Sequence, residues 1–285
     1  MQLEFAGTLA VADGRYLARD GDENGAQSVL VVETLGAPSP PARRRRRARE
    51  AEPGVEPSPL PLTRVTAVRA FEPFDSEGDA ARWLGGASEA EDMVDALVAE
   101  ATGLLSRALH AQATAGADPY VNELTAERAV AVRIGYGGGE EVAAGRFRVA
   151  HDVDVWATGA SRGRRRAEEL RPQERVAAIL AGRERIDACE TLLLRARADL
   201  DAGRMREAAL QLQVGLGALL IELEGALVDP RHENDMRELA SRRREAAGAA
   251  DAALRGELDE SNERSVRELT EVCERVLRRR RVLRG

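Results

Sequence analysis

Apolar and polar residues alternate from the first positions of the chain. Leu3, Phe5, Leu9 and Val11 fall on one side of an extended segment that turns at Asp13-Gly14, the period-two signature of a strand with one buried face. The runs SVLVVETL and TRVTAVRAF read as two more strands, on either side of a segment from Gly36 to Leu62 that holds seven of the eleven prolines. That segment has no packing periodicity, so it is expected to be a disordered insertion between strands of one sheet. After Phe74 the period becomes helical. Ser76 and Asp79 form a capping box for a short helix through Leu84, and Ser88 with Glu91 forms another. The second box opens a long helix striped by Met93, Val94, Leu97, Val98, Ala101, Leu104, Leu105 and Leu109. Alternation then returns twice. Val130, Val132, Ile134 and Tyr136 share the face of one strand, and Phe147, Val149, His151, Val153 and Val155 share the face of the next.

From Pro172 onward the pattern is helical to the end. Four helices are predicted. The first runs from Pro172 to about Ala202, with Val176, Ile179, Ile186, Cys189 and Leu193 in one stripe, and stops at Gly203. The second reaches Asp229-Pro230 and the third spans roughly Glu233 to Arg255. In the fourth, Val266, Leu269, Cys273 and Val276 step by three and four, the spacing of a narrow helix seam that packs against one neighbour or against another chain. The fold class expected is α+β: an amino-terminal antiparallel sheet packed by helices, followed by an all-α bundle or hairpin. The boundaries expected are 1–161 for the α+β domain with its insertion at 36–62, 162–171 for an Arg-rich linker, and 172–285 for the helical domain. Within the latter, RARADLDAGRMREAALQL resembles the junction of a tetratricopeptide-type helical hairpin. A solenoid needs several copies at a fixed period, and the sequence carries one.

Composition narrows the chemistry. Only 3% of residues are aromatic, so the cores must be aliphatic. All 42 basic residues are arginine. The absence of lysine excludes Schiff-base catalysis by a lysine amine and the attachment of pyridoxal phosphate. Arginine's GC-rich codons point to a GC-rich bacterial genome, which makes each arginine weaker evidence of phosphate recognition. No apolar run approaches membrane-spanning length and the amino terminus lacks a basic, then greasy, leader, so a cytoplasmic protein is expected. Cys189 and Cys273 lie on apolar helical faces and read as reduced core residues.

The stretch RIGYGGGEEVAAGRF, Arg133 to Phe147, raises phosphate binding and then argues against it. Counted from Gly135, the third glycine of G-x-G-x-x-G falls on Glu140, and the stretch leads towards a strand where a phosphate loop leads into a helix. A hairpin turn, with glycines supplying positive φ, is the expectation. The elbow G-x-S-x-G, the loop G-K-[ST], H-E-x-x-H and C-x-x-C are all missing. Of three histidines, His151 is expected to be buried among valines, while His110 and His232 are assigned solvated or capping positions.

No catalytic, cofactor-binding or metal-binding residue is therefore assigned. The leading expectation is a protein-interaction or assembly module, whose partner or second copy docks through Val266, Leu269, Cys273 and Val276. The first alternative is weak nucleic-acid association through Arg43, Arg44, Arg45, Arg46, Arg47 and Arg49, with no membrane partner. It is tempered by charge, since residues 1–161 hold 16 arginines against 25 acids. The second alternative is an enzyme or small-ligand binder with a pocket between sheet and long helix, around Tyr136, His151 and Trp156.

Overall fold

The computed structural model describes residues 1–19, 27–36, 60–70, 73–153, 175–224 and 230–284. The chain divides into two compact units, Met1–Gly159 and Ala160–Gly285.

The first unit is an antiparallel six-stranded sheet in the order β2-β3-β4-β1-β5-β6. Its strands are β1 (Gln2–Ala6), β2 (Gly14–Arg19), β3 (Gln27–Leu35), β4 (Leu62–Arg69), β5 (Ala131–Tyr136) and β6 (Val149–Asp152). β3 and β4 pair directly along their length, so the proline-rich segment does join neighbouring strands of one sheet. Its residues between 37 and 59 lie outside the described ones. β2 has no counterpart in the sequence prediction: it is an edge strand with little burial, so its side chains lack the alternation that marks a half-buried strand.

Helices α1 (Glu77–Glu89) and α2 (Glu91–Gly116) cover one face. Leu3, Phe5, Leu30 and Val65 from the sheet share a buried core there with Ala101, Leu105 and Leu109 of α2. The Ser76 hydroxyl accepts a hydrogen bond from the Asp79 amide at 3.1 Å, the expected cap of α1. Ser88 does not cap α2. It lies inside α1, which runs on through Gly85 and Gly86, and its hydroxyl donates back to the Leu84 carbonyl.

The opposite face carries a ladder of alternating charge across five strands. Arg64 lies 3.9 Å from Glu33 and 3.0 Å from Glu4, and Arg133 lies 2.9 Å from Glu4 and 3.0 Å from Asp152. Burial works against the Arg133 charge, but its hydrogen bond to Glu4 and the nearby carboxylates outweigh it and raise its pKa. β1, at the middle of this sheet, is thus buried on both faces.

The second unit contains α4 (Ala188–Asp201), α5 (Met205–Glu222), α6 (Pro230–Ser241), α7 (Arg243–Arg255) and α8 (Glu260–Arg284); α3 (Gly139–Ala143) belongs to the first unit. The helix expected from Pro172 to Ala202 is broken. A helical turn at 175–180 ends at Gly182, whose φ of +69° stops the helix, and Val176 and Ile186 of the expected stripe are exposed. The amides of Ala188 and Cys189 then donate to the Glu222 carboxylate at 3.1 and 2.9 Å, so a side chain from α5 caps α4. The third predicted helix is likewise two, α6 and α7, broken at Arg242. One aliphatic core unites the five helices, with α7 contributing only alanines. Cys189 and Cys273 are reduced and buried in it, and burial pushes both thiols up to about 12. His232 is also buried, contrary to expectation, and neither ring nitrogen has a hydrogen-bond partner among the described residues.

Among the described residues, no helix is long and apolar enough to cross a membrane.

Candidate functional site

The connection from β5 to β6 decides where a site forms. Gly137 and Gly138 lead into α3, a five-residue helix, where a plain turn was expected. Glu141 reaches back to accept the Gly138 amide at 2.7 Å, so the chain's own carboxylate fills the position an anion would need. That hydrogen bond, then the contact with Arg148, holds the Glu141 carboxyl below its usual range. Of the five glycines in Arg133 to Phe147, only Gly145, after α3, has positive φ, at +66°; Gly135, Gly137, Gly138 and Gly139 do not. Gly135 is required by close approach instead: a Cβ there would lie 2.5 Å from the Val149 carbonyl oxygen and 2.7 Å from Cδ2 of Phe147. The missing side chain lets the Phe147 ring lie against the β5 backbone.

Phe147 thereby becomes one wall of a cavity of about 820 Å³ in the first unit. Its other walls come from the end of β4, from α1, from α2 and from α3. Ile134 and Tyr136 of β5, Leu97 and Leu104 of α2 and Trp83 of α1 line it. The Phe74 ring packs against Trp83 with centroids 5.3 Å apart and planes tilted by 47°. The sequence has four phenylalanines, three tyrosines and two tryptophans, and four of these nine side chains, Phe74, Trp83, Tyr136 and Phe147, line this one cavity.

Charges on the lining are compensated. The Arg69 guanidinium chelates Glu100 through Nε at 3.1 and 3.0 Å and through Nη2. Arg148 bridges Glu77 of α1 and Glu141 of α3, each at 3.2 Å. The Met1 amino group donates to the Ala67 carbonyl at 2.9 Å, and burial pushes it down to about 5, so it is neutral near pH 7. Neither the Tyr136 hydroxyl nor the Trp83 indole N–H has a hydrogen-bond partner among the described residues.

The sequence-predicted residues separate. Tyr136 lines the cavity. His151 does not: it sits exposed on β6, the outermost strand among the described residues, its Nδ1 3.2 Å from the Ser88 hydroxyl. The expected burial of His151 among valines is therefore corrected, and Val149 beside it is exposed too. Trp156 lies outside the described residues, as do Arg43, Arg44, Arg45, Arg46, Arg47 and Arg49. Val266, Leu269, Cys273 and Val276 are each 0% exposed, inside the unit's own core. They present no face to a partner, since the other helices of the same chain already cover them. In the helical unit Arg242 pairs with Glu245 and Glu268, Arg279 with Asp235, and Arg280 with Asp187. Sequence reasoning missed Phe74, Trp83 and Phe147. The available signal was the scarcity of aromatics, which makes five in the span from Phe71 to Phe147 besides Tyr120 worth testing as one group.

Among the described residues no group of three or more His, Cys, Asp or Glu side chains is placed to hold a metal. Compared with family models, curated proteins and solved structures, the chain matches none.

Proposed function

We propose that the amino-terminal unit is a binding module for a small organic molecule. The observation that carries this is the cavity of about 820 Å³, walled by four of the chain's nine aromatic side chains. Small-molecule sites are concave, mainly apolar and fitted with few polar groups. A stably folded aliphatic protein gains nothing in its core from leaving aromatic rings around a void, because unfilled space forfeits dispersion contacts. The lining holds no histidine or cysteine, and of its two serines Ser76 is engaged with Asp79 in the cap of α1, so binding is the reading offered.

Thermal unfolding of the full chain across a metabolite library tests it. A ligand at a hundred times its Kd should stabilise the chain by about 2.7 kcal/mol. Val142→Trp, which places bulk on the lining from α3, should abolish that shift while leaving the unliganded melting temperature nearly unchanged. A library without a stabilising compound, or shifts that survive Val142→Trp, would count against the site.

Association through the helical unit has one observation in its favour, on residues other than the seam. Val214 and Ile221, seven apart on one side of α5, are 57% and 74% exposed, and Leu194 of α4 is 63% exposed. Sedimentation equilibrium of the full chain tests it: a dimer dispersed by Ile221→Asp supports association, and a monomer at high concentration opposes it.

A further inference from the structure

We infer that the cavity selects an uncharged, flat aromatic compound carrying a hydrogen-bond acceptor. This rests on the cavity being a small-molecule site at all, and three properties of its lining then fix the ligand class.

The first is shape. Phe74, Trp83, Tyr136 and Phe147 come from four different segments and all line the cavity, Phe74 and Trp83 as a contacting pair and the other two from β5 and the chain before β6. Rings on the lining favour another ring, by offset stacking or edge-to-face contact, over a flexible alkyl chain that must lose rotamer freedom to fit.

The second is charge. Every ionised side chain on the lining has an opposite charge within reach: Arg69 with Glu100, and Arg148 with Glu77 and Glu141. An anionic ligand would have to break one of these pairs or enter with its own charge unmatched, and a buried unmatched charge is costly. The anion position at the glycine connection is already taken by Glu141.

The third is polarity. The Tyr136 hydroxyl and the Trp83 indole N–H make no hydrogen bond to a described residue. Both can donate, and the indole can only donate. A carbonyl, ether or ring nitrogen on the ligand answers them, and a plain hydrocarbon does not.

The probe is prodan, an uncharged naphthalene ketone whose emission shifts to the blue in an apolar site, titrated against the full-length protein. Its anionic counterpart is 6-(p-toluidino)naphthalene-2-sulfonate, and the aliphatic competitor is 1-decanol. Saturable, blue-shifted prodan binding is expected, with the sulfonate at least tenfold weaker and decanol displacing prodan only at large excess. Trp83→Leu, which keeps apolar bulk but removes the ring and its N–H, should weaken prodan by about five- to tenfold, with circular dichroism and melting temperature close to the parent's. Prodan binding unaffected by Trp83→Leu, or a sulfonate or decanol that binds as tightly as prodan, would overturn the ligand class while leaving a binding cavity in place. Failure of all three compounds, together with a library that gives no thermal shift, would overturn the cavity reading itself.

Discussion

Leu269→Ala distinguishes a core from an interface. Leu269 is fully buried in a core that it shares with Leu193, Leu212, Leu216 and Leu239. The change removes three carbons, and at roughly 0.8 kcal/mol per buried methylene the lost transfer energy is about 2.4 kcal/mol. A cavity term adds to this in proportion to how poorly the site collapses. Collapse should be limited, because the same core holds Ala246, Ala249 and Ala253, whose side chains have no rotamer that could swing into a void. The total should be about 3 to 4.5 kcal/mol, within the range for such truncations, and the unit should melt about 12 to 18 °C lower at roughly 4 °C per kcal/mol. Native-state hydrogen exchange read by mass spectrometry on peptides from α5 and α8 resolves this unit within the full chain. The loss should be the same across a wide range of protein concentration. A loss below about 1 kcal/mol, or one that shrinks as concentration rises, would return Leu269 to an interface between chains and refute the core assignment.

Three other outcomes follow from particular contacts. Gly135→Ala should cost at least about 2 kcal/mol by overpacking, since the new methyl would meet the Val149 carbonyl oxygen and the Phe147 ring below 3.0 Å; denaturant unfolding that matches the parent would show that β6 moves aside freely. His232→Leu should raise stability by about 1 kcal/mol, because it removes two buried ring nitrogens that lack hydrogen-bond partners among the described residues; a loss of stability measured by urea unfolding would reveal a partner for that ring. Glu245, held down to about 2 chiefly by its two hydrogen bonds from Arg242 at 2.8 Å, has a folded pKa below its unfolded one. Its contribution is therefore complete above about pH 4.5 and lost as pH falls towards 2. The pair is partly exposed, so the effect is small. The stability gap between the parent and Glu245→Gln should close over that interval, and a gap that stays constant would contradict the linkage.

Local pattern alone carried the strands β1, β3, β4 and β5, the helices α1 and α2, the α+β class and the helical second half, because period two and period 3.6 are properties of neighbouring residues. It also carried the cap at Ser76, which is satisfied within four residues. Where burial depended on distant chain, the pattern gave a different answer. His151 alternates with valines, yet it is exposed on β6, the outermost strand of the sheet among the described residues. Glu4 and Arg64, sixty residues apart, meet in a charge ladder because β1 lies between β4 and β5. The seam of α8 was legible as a seam, but its occupant was not. Spacing shows that four side chains need cover, and only the path of α4, α5, α6 and α7 determines that this chain supplies it. The cavity belongs to the same class of fact. Phe74, Trp83, Tyr136 and Phe147 are spread along the sequence, and they line one space only because β5 sits next to β1 and Gly135 leaves room for the Phe147 ring. Short-range periodicity encodes which side of an element seeks burial. What buries it, and what is left open, is set by contacts between residues far apart in the chain.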